Sequence, residues 1–128
     1  MTTPLTEGKH RGEFIVSEAE ASGFRSRSTG TVLSGEVLVA GQIVEADGSG
    51  KLKALSGLLN TGLGLITEAA GIMYDNVDAS AGDATGAVFI ARDAEVNGAE
   101  LTYPTESTAG GEAAATNASL ALLGIIVR

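Results

Sequence analysis

The stretch VFIARDAEVNGAELTY, Val88–Tyr103, followed by Pro104, carries the reading of the fold. Apolar and polar residues alternate around an acidic turn region, the period-two pattern of strands that bury one face. Asn97-Gly98 is the strongest short hairpin signal in the chain, because a tight two-residue turn needs positive φ and these residue types tolerate it. The spacing therefore predicts a turn over Glu95–Gly98, with Leu101–Tyr103 as the outgoing arm. Pro104 stops that arm, since it has no N–H to give to a ladder.

Working outward, Ala87–Ala91 reads as a strand entering the turn, and Ala69–Tyr74 (AAGIMY) as another before the turn-rich acidic connection 75–86. Between Thr31 and Leu55, short β-branched runs are cut by Gly35, Gly41 and the DGSG at 47–50. Val37 and Val39 share a face, as do Lys51 and Lys53, and Asp47-Gly48 suits a tight turn. Residues 56–68 hold five large apolar residues among three glycines, where a long helix would be costly, so a loop or short helical turn is expected. After a polar loop at 105–111, Glu112–Leu123 is the best helix candidate. It is alanine-rich, with Glu112 near the positive end, Gly124 as the residue past the C-terminus, and Thr116, Leu120 and Leu123 facing the core. Ile125–Val127 closes the chain as a strand. Many short strands, glycine-rich turns and one late helix predict a mainly β fold, a β-clip or irregular small barrel; a βαβ array is disfavoured.

Residues 1–30 read differently. They are mostly polar and glycine-punctuated, apart from Phe14-Ile15-Val16 and Phe24, and such a stretch cannot offset its own ordering entropy. We expect a flexible N-terminal arm over 1–30 and a β-rich domain over 31–128. Three consecutive apolar residues suit an arm that orders on a partner by adding a strand to a sheet edge, with Arg25 and Arg27 assisting.

At 128 residues one domain is the natural expectation, with a core built from aliphatic residues because there are only three Phe, two Tyr and no Trp. Oligomerisation is one way to recover the missing buried area. No cysteine means no disulfide, thiol nucleophile or iron–sulfur site. No apolar run approaches the roughly 20 residues that span a bilayer, and residues 1–14 lack a secretory hydrophobic segment. A soluble protein of the cytoplasm, or of something assembled there, is expected. Net charge is −8, with four bases and four acids in residues 1–30 against four bases and twelve acids after them. That acidic body repels phosphate backbones, and no basic patch with interleaved aromatics argues for nucleic acid.

Catalytic and metal patterns are weak. Asp93, Glu95 and Glu100 are close in sequence, but strand spacing beside a turn makes a solvated edge the simpler reading. Asp75, Asp78 and Asp83 lack the calcium-loop pattern. His10 is the one histidine and lies in the arm. There is no Gly-x-Ser-x-Gly elbow, Walker motif or G-x-G-x-x-G; Gly62 and Gly64 form only a bare GxG among leucines. Asn117-Ala118-Ser119 is a chance glycosylation triplet. Arg92, between an apolar run and an acidic segment, is either an ordinary surface residue or a pair for Asp93, Glu95 or a neighbouring subunit.

Gly12–Glu18 (GEFIVSE), Ser26-Arg27, Ala91–Asn97 (ARDAEVN), Leu101–Pro104 (LTYP) and Leu123–Arg128 (LGIIVR) occur in an order that resembles the tailed-phage head decoration proteins, the group related to the lambda capsid-stabilising protein D. The resemblance runs from about residue 12 to residue 128. It implies a β-rich, clip-like domain that forms homotrimers on the outer surface of an expanded icosahedral head, at threefold and quasi-threefold positions. There it would clamp major capsid proteins, with no catalysis, metal, cofactor, small-molecule substrate or membrane. The location implied is the virion surface, after synthesis in the host cytoplasm. N-terminal arms in that family order by pairing with capsid strands, which maps here onto residues 1–30. Phe14, Ile15, Val16, Arg25 and Arg27 are then the expected capsid contacts, and Arg92, Glu95 and Tyr103 the expected subunit contacts. Where the family pattern often has Trp before the proline, this chain has Tyr103. Another acidic assembly module, such as an adaptor or spike subunit, is the alternative, and a carboxylate-based hydrolase a remote third.

Overall fold

The computed structural model describes residues 7–19, 25–56, 59–60, 64–65, 68–104 and 111–128. Its strands are β1 (Ile15–Glu18), β2 (Arg27–Val32), β3 (Val37–Leu38), β4 (Ile43–Ala46), β5 (Leu52–Ala54), β6 (Leu59–Asn60), β7 (Gly64–Leu65), β8 (Gly71–Met73), β9 (Val77–Asp78), β10 (Ala84–Ile90), β11 (Ala94–Val96) and β12 (Ile125–Val127). One α-helix, α1 (Glu112–Leu122), precedes β12.

Five short strands close on themselves in the order β10-β2-β5-β4-β8. Closure removes the open edges that such short strands would otherwise leave. The β4–β5 turn forms at Asp47-Gly48, as expected. The Asp47 carboxylate accepts from the N–H groups of Ser49 (2.8 Å) and Lys51 (2.9 Å), in the manner of an Asx turn. The barrel encloses Val32, Leu38, Val44, Leu52, Met73, Ala79 and Ala87. At Gly71, the first residue of β8, a Cβ would stand 2.3 Å from the Ile90 carbonyl oxygen, so only glycine fits.

A three-stranded sheet, β1-β11-β12, lies outside the barrel. β1 runs antiparallel to β11, and β12 runs parallel to it, with α1 in the β11–β12 crossover. Between this sheet, α1 and the barrel sits a second core of Phe14, Ile43, Leu55, Ala69, Ile72, Ile90, Ala94, Val96, Leu101, Leu120 and Ile125.

Three expectations change. The Asn97-Gly98 hairpin does not form. Asn97 has φ −87°, and its side-chain oxygen accepts from Ala99 N–H, so it caps a single 3₁₀ turn at Gly98–Glu100 instead of entering a primed turn. The chain then leaves β11 altogether, and Thr102 bridges Gln42. The boundary expected at residue 30 falls inside β2, and β1 also lies within the expected arm. Over the reach 56–68, expected as a loop or short helical turn, β6 and β7 pair as a minimal antiparallel ladder; the remainder, apart from Ser56 and Glu68, lies outside the described residues. The helix matches its expected span to within one residue. Gly124, at φ 80°, follows it and donates its N–H to the Ala121 carbonyl at 3.0 Å. Thr116 and Leu120 are buried, while Leu123 is half-buried.

Candidate interaction surfaces

The N-terminal segment is built onto the domain by local contacts. Gly12 N–H donates to the Tyr74 carbonyl (2.9 Å), and the Asn76 amide donates to the Lys9 carbonyl (3.0 Å). Arg11 lies 3.5 Å from the Asp75 carboxylate and Lys9 3.7 Å from that of Glu100. Phe14, expected to meet a partner, is instead wholly buried, and its carbonyl accepts from Asn97 N–H at 2.8 Å. An aromatic ring that removes so much area from water is held by the core and is not on offer as a contact. Ile15 is half-buried against the same core, whereas Val16 is 56% exposed. Among the described residues β1 has a strand partner only on its β11 side, and Ile15 N–H on the other side is taken up by the Gly12 carbonyl at 3.1 Å.

Arg27 closes β1 onto β2. Its Nε and Nη2 donate to the two Glu18 carboxylate oxygens at 3.1 and 2.6 Å, a bidentate fork. The guanidinium also lies 4.2 Å from the Tyr74 ring centroid, within cation–π range. The hydrogen bonds to Glu18 hold it above its ordinary pKa. Arg27 is thus committed within the chain. Arg25 is exposed, 3.8 Å from the Asp93 carboxylate.

Arg92 reaches neither Asp93 nor Glu95. Its Nη1 donates to the Arg25 carbonyl and its Nη2 to the Ser28 hydroxyl, each at 2.6 Å, so it braces the start of β2. Glu95 pairs with Arg128 at 2.8 Å, and that hydrogen bond holds its carboxyl below the usual range. Tyr103 donates its hydroxyl to the Asn117 side-chain oxygen on α1 (2.6 Å); burial pushes its phenol up. Arg25, Arg27 and Arg92 therefore gather at the β1–β2 end, while Tyr103 is engaged on the helix.

Sequence reasoning quoted Ser26 only beside Arg27 in the resemblance and gave it no role. Its hydroxyl is wholly buried, accepts from Ala19 N–H (2.8 Å) and donates to the Asp93 carbonyl (2.6 Å), tying three segments together. Its position between two arginines gave only a faint signal. Asp93 itself sits at φ 48°, in the left-handed region that short polar side chains tolerate.

The carboxylates do not converge. Asp93, Glu95 and Glu100 face Arg25, Arg128 and Lys9 respectively. Asp83 accepts from Lys51 (2.6 Å) and Ser34 N–H, Asp78 accepts from Ser80 N–H, and Asp75 faces Arg11. Among the described residues no three His, Asp or Glu side chains gather as a metal site, and no helix is long and apolar enough to cross a membrane.

The family model for bacteriophage lambda head decoration protein D matches residues 4–125 of the chain. A search of curated proteins finds no match.

Proposed function

Because the chain belongs to the bacteriophage lambda head decoration protein D family and is thereby a capsid-associated protein, we propose that it binds as a homotrimer to the outer surface of an expanded phage head. Its partner there is the major capsid protein, and its work is mechanical. Each trimer bridges adjoining capsid subunits, so pressure from packaged DNA must break many contacts together. Binding to the assembled shell but not to its separated parts stabilises the shell by linkage, about 2.7 kcal/mol per site at a free concentration 100 times Kd. Three contacts on one trimer raise the effective concentration for each other.

The observation that carries this reading is the open edge of β1 beside exposed Val16, on a domain whose other main sheet is closed. An edge strand is where another chain can add main-chain hydrogen bonds. Residues 1–30 supply the capsid contact in this proposal, with Ile15, Val16 and Arg25 nearest the junction. Phe14 and Arg27 hold the edge in place from within. Glu95, Arg92 and Tyr103 support subunit contacts through the residues they brace. The acidic body, at net charge −8, faces solvent and needs no nucleic acid.

Cosedimentation with expanded and unexpanded empty heads, followed by electron microscopy of the pelleted particles, tests the proposal. Saturable binding to expanded heads, with added density at threefold positions, is expected. Equal binding to both forms, or density confined to a vertex, would overturn it.

A further inference from the structure

We propose that the outward face of α1 is a self-association surface, packed around a threefold axis against the same face of two further copies. The inference rests on the homotrimer reading and names the surface that carries it.

The helix is inverted in polarity. Its buried positions are Glu112, Thr116, Ser119 and Leu120. Thr116 donates to the Glu112 carbonyl (2.7 Å), and Ser119 accepts from Ala69 N–H (2.8 Å) and donates to the Glu68 carboxylate. Its exposed positions are Ala114, Ala118, Ala121 and Leu122, all apolar. At about 100° per residue these four fall within about 100° of arc, opposite the buried set. A helix lying on a domain normally shows the reverse, apolar residues inward and charge toward water. Leu122 is 80% exposed, the most exposed large apolar side chain among the described residues. No charged residue occurs between Glu112 and Arg128.

Charge identifies the occupant. Copies of a chain at −8 repel wherever acid-bearing faces meet, and burying a carboxylate between them is costly. A face free of charge is the one that like-charged copies can share. A partner of opposite charge would instead find nothing on this face to pair with. In a closed ring, an element beside the axis meets its own copies, so the face need match only itself. The alanines allow close backbone approach and Leu122 supplies apolar area at the centre. Asn117, beside this face, is held by the Tyr103 hydroxyl, whose ring packs on the inner core.

Sedimentation equilibrium of the full chain tests this, comparing wild type with Leu122→Asp, Ala118→Glu and Val37→Asp. Val37 is 62% exposed on β3, away from α1, and serves as the control. Far-UV circular dichroism and urea midpoints establish that each variant folds. Wild type and Val37→Asp should show three times the protomer mass, while both helix variants dissociate at concentrations at least about 100-fold higher. Trimeric wild type with equally trimeric helix variants would refute the helix face and leave the homotrimer reading standing. Monomeric wild type would sink the homotrimer reading itself. Helix variants that stay trimeric but lose expanded heads would assign the face to the capsid and overturn the inference.

Discussion

Replacing Phe14 by alanine discriminates between a loose leading segment and one built into the domain. The ring is wholly buried and belongs to a core shared by β4 (Ile43), β8 (Ile72), β10 (Ile90), β11 (Val96), α1 (Leu120) and β12 (Ile125). Removing a buried Phe side chain costs the lost transfer energy plus a cavity, about 3–5 kcal/mol. Against a total of about 5–15 kcal/mol for a domain, that is a large share. With a urea slope of about 2 kcal/mol per molar, the midpoint should fall by about 2 M. Protomer concentration must be held constant, because subunit association adds to apparent stability. Val16→Ala, two residues along but largely exposed, should stay within about 0.5 kcal/mol of wild type. A Phe14→Ala cost under about 1 kcal/mol would show that residues near 14 contribute nothing to the core, and the account of β1 would fail.

Three further outcomes are expected. Arg27→Ala leaves the Glu18 carboxylate, its side chain 7% exposed, without its fork, and should lower stability by about 2 kcal/mol in urea titration. Gly71→Ala drives a Cβ into the Ile90 carbonyl and should cost about 3 kcal/mol or prevent folding, measured the same way. Acid should weaken the fold. Glu95 is held below its ordinary pKa by Arg128, as Asp83 is by Lys51, so each contributes stability at neutral pH that is lost as pH falls below about 4 and through the folded values. Both are exposed, so the effect of each is small. In Arg128→Ala the Glu95 titration followed by NMR should move up toward an ordinary glutamate, and an unmoved titration would count against the pair.

Period-two patterning, glycine punctuation and an alanine-rich run made the fold class and the single helix legible, because those signals are local. Asp47-Gly48 turned as its chemistry suggests. Asn97-Gly98 did not, since Asn97 had a competing use for its side chain as the cap of a 3₁₀ turn, and the parallel partner β12 lies some thirty residues away. Composition suggested that residues 1–30 stand apart, yet Phe14 fills a core assembled from distant elements, a role that no local window displays. Arg92 read either as an ordinary surface residue or as a pair for the acids that follow it or for a neighbouring subunit. Its partners, the Arg25 carbonyl and Ser28, are nearly seventy positions upstream.

The most direct test is the temperature at which filled, expanded heads release their DNA, with and without saturating protein. A cement on the outer shell should raise that temperature and lose the effect when the protein is stripped off. Heads that bind the protein to saturation yet release DNA at an unchanged temperature would contradict the account.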